Sequence, residues 1–287
     1  MLTVLEAINL STEYLRNKGI ESPRLNAELL LAEILGLKRL ELYLAFDRPI
    51  QENEKLSYRQ SLQRRGKFEP LQYILGHEEF YGLEFIVNQN VLIPRPETEL
   101  IIDHIKSYFS KQKIEKVLDI GTGSGNIAIT LAKEIDKVQI EAIDISAQAL
   151  SIAAENSRNH NTESRVRFLL GDIFSEEIVE SLSKYDCIVS NPPYISLSDY
   201  LDLQIEVKQF EPEIALNDKS DGYKFYRRII EISNRILNPN GTIFFEIGYS
   251  QSETIAEILN SHGFCDIKVF KDHSNIERVI QAVRCTH

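Results

Sequence analysis

The sequence predicts an α/β protein in which a small helical bundle and a linking β-hairpin precede a mostly parallel sheet flanked by helices. Three observations carry this. Residues 1–70 show helical periodicity alone; from Glu79 the apolar period changes, and apolar β-type runs then alternate with helical patterns. The last two runs lie too close together for a helical crossover, so they are expected to pair antiparallel.

In chain order, Thr3 with Glu6 forms a candidate capping box. The opening stretch carries Glu6 and Glu13 at helical spacing and lacks a basic lead and a cleavage site, so it reads as a helix and not as a signal peptide. Ser22-Pro23 supplies a cap followed by proline at the first helical position. That second helix places Leu25, Leu29, Ala32 and Leu35 on one side and stops at Gly36. A short helix over residues 39–45 and a longer one over 53–65, ended by Gly66, complete a small bundle, readable as a stability cap or as a recognition module. Residues 80–87 resemble a hairpin, and Ile93-Pro94-Arg95-Pro96 is too proline-rich for a regular element. A helix is expected from Glu97 to about Tyr108. The seven β-type runs are 117–120, 139–145, 166–170, 186–190, 242–247, 267–270 and 279–283, with no internal repeat.

Composition narrows the class. A chain of 287 residues has room for one large domain and a small one. No run of about 18 apolar residues supports a membrane span. Cys187, Cys265 and Cys285 are few and scattered, which fits a reducing cytoplasm and argues against a disulfide scaffold or a zinc site. His77, His104, His160, His262, His273 and His287 show no ligand spacing. Residues 1–70 hold 11 Lys and Arg against 10 Asp and Glu, whereas the remainder holds 21 against 33. So acidic a region is a poor general binder of phosphate backbones, which counts against nucleic acid as substrate.

Four segments carry chemistry. Gly121-Thr122-Gly123-Ser124-Gly125 lies between a strand and a helix start, where glycines let the backbone approach a ligand. The dinucleotide fingerprint would continue to glycine at 126, and Asn126 stands there; the alternative is a structural turn. Asp144 ends the next strand, some 20 residues on, placed to accept hydrogen bonds from both hydroxyls of a ribose. Its alternative role is to cap a helix over 147–157. Asp172 can accept from an adenine amino group while Ile173 packs on the ring, although loop carboxylates are common. In Asn191-Pro192-Pro193-Tyr194, two prolines remove two donors and fix the chain, so the Pro192 carbonyl can face a cleft. Asn191 adds a side-chain oxygen and Tyr194 a flat ring. Two acceptors and a plate suit an NH2 on a planar group.

With these residues in hand, the chain resembles the release factor N5-glutamine methyltransferase family over nearly its full length. Beyond the glycine loop and the Asn191–Tyr194 tetrapeptide, the similarity rests on Glu69-Pro70-Leu71-Gln72-Tyr73-Ile74-Leu75-Gly76 and Leu92-Ile93-Pro94-Arg95-Pro96-Glu97-Thr98-Glu99. Glu211-Pro212 with Ala215-Leu216, Asp221-Gly222, and Phe245-Glu246-Ile247-Gly248 with Gln251 extend it. The tetrapeptide is shared with DNA and ribosomal RNA amino-methyltransferases; its combination with the 93–99 block is far more specific.

The resemblance implies a Rossmann-like, seven-stranded S-adenosylmethionine-dependent methyltransferase domain over residues 97–287. It also implies an N-terminal helical recognition domain over 1–75 and a hairpin linker over 76–96. On that pattern Gly121 to Gly125, Asp144, Asp172 and Ile173 hold the cofactor, Asn191 to Tyr194 hold the substrate amide, and Asn191 touches both. Many members carry an aromatic residue where this chain has Ile173, so aliphatic packing is expected to replace ring stacking there. The implied substrate is the glutamine of the Gly-Gly-Gln tripeptide in class I peptide chain release factors, and S-adenosylhomocysteine is the product. An amide nitrogen is a poor nucleophile because its lone pair is delocalised; Asn191 and Pro192, holding one N–H each, would aim it at the sulfonium methyl. No metal is needed. Two rivals remain: a nucleic-acid amino-methyltransferase acting on a flipped base, and a cofactor-binding regulator without activity. A cytoplasmic monomer is the default.

Overall fold

Alternation along the strands decides how the larger part of the chain packs. The computed structural model of the protein describes residues 2–110 and 113–285, so His287 lies outside the described residues. Nine strands are assigned there. They are β1 (His77–Phe80), β2 (Leu83–Ile86), β3 (Lys116–Ile120), β4 (Gln139–Asp144), β5 (Val166–Leu170), β6 (Tyr185–Ser190), β7 (Leu237–Glu246), β8 (Phe264–Lys271) and β9 (Glu277–Arg284). β1 and β2 form a hairpin; the other seven form one sheet in the order β5-β4-β3-β6-β7-β9-β8. Pairing is parallel from β5 to β7, and β9 runs antiparallel to both β7 and β8.

Because side chains on a strand point alternately to opposite faces, each central strand feeds two cores. Leu118, Ile188, Ile243, Phe245 and Ile280 face one core, where they meet Tyr226, Ile229, Ile230 and Ile236 of the helix Lys224–Ile236. Val117, Val189, Phe244 and Val279 face the other, packed by Ile101, Ile102 and Ile105 of Glu99–Phe109 and by Ile127, Ala128, Ile129, Leu131 and Ala132 of Asn126–Glu134. Each large apolar side chain buried this way contributes roughly 1.5–3 kcal/mol. The hairpin does not stand apart: Phe80 and Phe85 are part of this second core.

The chain divides into two compact units, one ending at His77 and including Gln204–Phe210, the other Glu78–Leu203 with Glu211–His287. In the first, Val4–Asn17, Pro23–Leu35, Arg39–Leu44, Glu52–Arg65 and Leu71–Leu75 are helical, around Val4, Ile8, Leu30, Leu31 and Leu42. Thr3 and Glu6 form the expected reciprocal cap. Ser22 does not cap with its side chain: it sits at φ 47°, and the Asn26 side-chain amide instead donates to the carbonyls of Glu21 and Ser22. Gly36 ends that helix in the left-handed conformation.

One further expectation is corrected. The terminal hairpin brings Cys265 and Cys285 together as a disulfide with Cα atoms 5.8 Å apart, so two of the three cysteines are paired. Their separation of 20 residues hid a neighbourhood that only the antiparallel return creates. Between β6 and β7 the chain forms the short helices Leu197–Tyr200, Ile205–Phe210 and Glu213–Leu216 before the longer helix Lys224–Ile236. Among the described residues no helix is long and apolar enough to cross a membrane, and no group of His, Cys, Asp and Glu is arranged to hold a metal ion.

Strand order locates the place for a ligand. After β3 the chain moves outward through β4 to β5, then returns to lay β6 against the other side of β3, with Ile120 opposite Ser190. In open α/β sheets a crevice opens outside the carboxyl ends of the strands where the order reverses in this way. The segments that leave those two ends are 121–125 and 191–194.

Candidate active site

A cavity of about 310 Å³ lies at this point, bordered by the glycine loop, Asp144, Asp172 and the Asn191 corner. Of the five loop residues, Gly121 and Gly123 line it. Their φ values of 75° and 55° are left-handed, which a side chain would resist. Thr122, Ser124 and Gly125 do not line it. Thr122 is turned inward and donates from Oγ1 to Asp119 Oδ2 at 2.6 Å. The Ser124 carbonyl accepts from Asn156 Nδ2 at 2.9 Å. Gly125 caps the helix Asn126–Glu134.

Asp144 lines the cavity, and both its oxygens are oriented by backbone donors: Oδ2 accepts from Gly123 N at 2.8 Å and Oδ1 from Ser146 N at 2.9 Å. Capping of the helix Ala147–Asn159 falls to Ser146, whose hydroxyl accepts from Ala149 N, so the helix-cap alternative for Asp144 is removed. Burial raises the Asp144 carboxyl, while the Ser146 and Gly123 amides pull it back. Asp172 and Ile173 also border the cavity. Asp172 accepts from Phe174 N, and the carbonyl of Ile173 accepts from Arg228 Nε. Beside them lies an aromatic pair that sequence reasoning missed: Phe174 and Phe225 line the same cavity, edge to face with centroids 5.4 Å apart. The aromatic residue at 174, next to the position considered, was the available signal.

The corner after β6 faces the cavity through Asn191, Pro192 and Pro193. Tyr194 does not line it. Its ring lies against Gly248, where a Cβ would sit 3.0 Å from Tyr194 Cδ2, and its hydroxyl approaches Glu246 Oε1 at 3.4 Å. Burial, then the Glu246 charge, raises the Tyr194 phenol. Gln251 staples the corner from behind, donating from Nε2 to the Tyr194 carbonyl at 3.0 Å while its Oε1 accepts from Gly248 N. Gly222 completes this seat: a Cβ there would lie 2.7 Å from the Tyr194 carbonyl oxygen. Two buried groups absent from the sequence-based candidates support the corner, Thr98 and Glu246, joined by a 2.5 Å hydrogen bond from Thr98 Oγ1.

The cavity therefore offers paired carboxylates, backbone amides in a tight loop, apolar and aromatic walls, and a rigid corner bearing acceptors. Carboxylates suit a ribose diol and the walls suit a flat base, so the donor set fits an adenosyl cofactor.

Two carboxyls beneath the cavity are set up to respond to pH. Burial pushes Asp119 up to about 7, and burial does the same to Glu246. A carboxyl whose folded value exceeds its unfolded one stabilises the fold fully below the unfolded value, and that contribution is lost as pH rises through about 7. The ligand-free protein is accordingly expected to lose roughly 1–3 kcal/mol from Asp119 between pH 5 and pH 8. Denaturant unfolding of Asp119→Asn should show a flatter pH dependence over that interval than the unmodified chain; identical slopes would remove Asp119 as the source.

A family model described as "PrmC N-terminal domain" matches residues 6–76, and one described as "Methyltransferase small domain" matches residues 96–206. A release factor glutamine methyltransferase from Geobacter sulfurreducens is 41% identical over 278 residues, covering 97% of this chain and 95% of that one. One from Bacillus subtilis is 39% identical over 288 residues, covering 99% and 98%. Among solved structures, the hMettl16 catalytic domain in complex with MAT2A 3'UTR hairpin 6 aligns with TM-score 0.56 at 16% identity, covering 81% of this chain and 82% of that one. A methyltransferase from Pyrococcus furiosus aligns with TM-score 0.51 at 18% identity, covering 72% and 91%. At such identities the two structures bear on the fold alone.

Proposed function

The chain belongs to the release factor glutamine methyltransferase family, and on that premise we propose how its cavity serves the reaction. It is an S-adenosylmethionine-dependent enzyme that methylates the side-chain amide nitrogen of a glutamine in peptide chain release factors, and so acts on translation termination. The cofactor supplies a methyl carbon made electrophilic by a sulfonium, and S-adenosylhomocysteine is left. Asp144 holds the ribose hydroxyls, with its carboxylate pre-aimed by the Gly123 and Ser146 amides. Gly121 and Gly123 would present backbone to the cofactor's amino-acid portion, and Asp172, Ile173, Phe174 and Phe225, which line the same cavity, would enclose its base.

The observation that carries the assignment is the corner itself: Asn191 and Pro192 stand at the cavity wall, where one side-chain and one main-chain oxygen can each accept an N–H of the same NH2. Held so, the glutamine nitrogen would face the electrophilic methyl carbon that the cofactor supplies, and one of its two protons would be free to leave once the methyl is transferred. Fixed orientation supplies much of the acceleration, and acceptors that gain strength as positive charge builds on nitrogen supply more. Tyr194, anchored at its hydroxyl end by Glu246, does not line the cavity and supports the corner from behind. The helical unit ending at His77 is assigned to docking the release factor, whose Gly-Gly-Gln glutamine enters the site.

The test is direct. After incubation with S-adenosylmethionine, mass spectrometry of a class I release factor should find a single added CH2 on the Gly-Gly-Gln glutamine. Parallel incubations with DNA and ribosomal RNA should remain unlabelled, in keeping with 33 Asp and Glu against 21 Lys and Arg after residue 70. Label on nucleic acid alone would overturn the substrate assignment.

A further inference from the structure

A side-chain amide has two ends of nearly equal shape, and only one of them is useful at this corner. If Asn191 turned its NH2 toward the cavity, it would offer donors to a substrate group that has only donors to give. Something must hold the amide the right way round. The hydrogen-bond chain behind it does so.

Asn191 Nδ2 lies 3.3 Å from Thr98 Oγ1, and Thr98 Oγ1 lies 2.5 Å from Glu246 Oε2. Thr98 and Glu246 are 2% and 3% exposed, so water does not take their place. A hydroxyl has one proton. Above about pH 7, where the Glu246 carboxyl is ionised and can only accept, Thr98 directs it to Glu246, which leaves only lone pairs for Asn191, and a lone pair can be met only by the NH2 end. The polarity of the short bond therefore passes through Thr98 and turns Asn191 Oδ1 away, free for an incoming N–H. Tyr194 also directs its hydroxyl at the carboxyl group, on Oε1. One buried acid thus braces the first and last residues of the corner.

We infer that Thr98 and Glu246 are positioning residues that set the amide orientation of Asn191, and through it the acceptor that receives the substrate NH2. This rests on the functional reading above, in which Asn191 is the residue that meets the glutamine. Neither group touches the reacting atoms.

The test is a double-substitution cycle read on methylation of a release factor at about pH 8 to 9, where Glu246 is ionised. Thr98→Val keeps the shape and removes the hydroxyl; kcat/KM is expected to fall about 10- to 100-fold, with S-adenosylhomocysteine affinity held within about twofold. Thr98→Ser restores the hydroxyl and is expected to stay within about threefold of the unmodified enzyme. In an Asn191→Ala background, Thr98→Val should cost almost nothing further, because the group it orients is gone. A merely structural role would lower activity in both backgrounds alike. Additive losses, a Thr98→Val enzyme with full activity, or a Thr98→Ser enzyme as impaired as Thr98→Val would each overturn the inference. Should Thr98→Val fail to fold, Thr98→Ala carries the same cycle. Failure of the unmodified enzyme to methylate glutamine would instead strike the functional reading, so the two failures are told apart.

Discussion

Asn191→Ala is expected to lower kcat by about 10²- to 10³-fold, the range seen when one preorganised dipole is removed from a reacting centre. Affinity for S-adenosylhomocysteine should change by less than about threefold. The split follows from where the side chain stands: its Oδ1 is one of two oxygens able to take an N–H of the acceptor, whereas the cavity keeps Asp144, Asp172 and the glycine loop for the nucleoside. Removing an interaction needed mainly as the bond forms reduces turnover and spares cofactor binding. Single-turnover kinetics with calorimetry on the same preparation measure both. A loss of equal size in the two quantities would show that Asn191 chiefly holds the cofactor.

Asp144→Ala is expected to act the other way, weakening S-adenosylhomocysteine about 10- to 100-fold by calorimetry, because hydrogen bonds to a charged acceptor are among the stronger ones. The same change frees the Gly123 amide, which Asp144 Oδ2 holds at 2.8 Å, so the glycine loop loses an anchor too. Unchanged affinity would take Asp144 out of the site. Asp144→Asn retains one acceptor and should fall between the two.

Much of the larger unit was legible in the residues, for a physical reason. Residues 117–120 and 186–190 are apolar β-type runs because those strands are covered on both faces, and such runs differ in kind from the helical patterns between them. β7 was legible only from residue 242, since Asn238-Pro239-Asn240-Gly241 carries turn chemistry and Asn240 does take a positive φ of 60°, yet Leu237 already pairs with Tyr185. Site residues were legible where one segment contains its own reason. Glycines between a strand and a helix, and prolines beside an asparagine after a strand, are of that kind. Thr98 and Glu246 are not. They stand 148 residues apart, each inside a segment that carries the family resemblance but with nothing in that segment to assign it a role, and become partners only when the sheet sets the end of β7 near the start of the helix Glu99–Phe109. Cys265 and Cys285 were invisible for the same reason on a smaller scale. Ser22 failed differently: the residue type was right for a cap, but at φ 47° its side chain accepts from no amide of the helix.

The seat behind Tyr194 has a bearing on what the enzyme will accept. With Gln251 pinning the carbonyl, and with Gly222 and Gly248 leaving no space for even a methyl group, the peptide there is wedged like a stop block. A stop block does not adapt to its workpiece. Any guest must bring its own nitrogen to a fixed mark, so tolerance for altered acceptors has to be sought in how they are delivered and not in how the anvil yields.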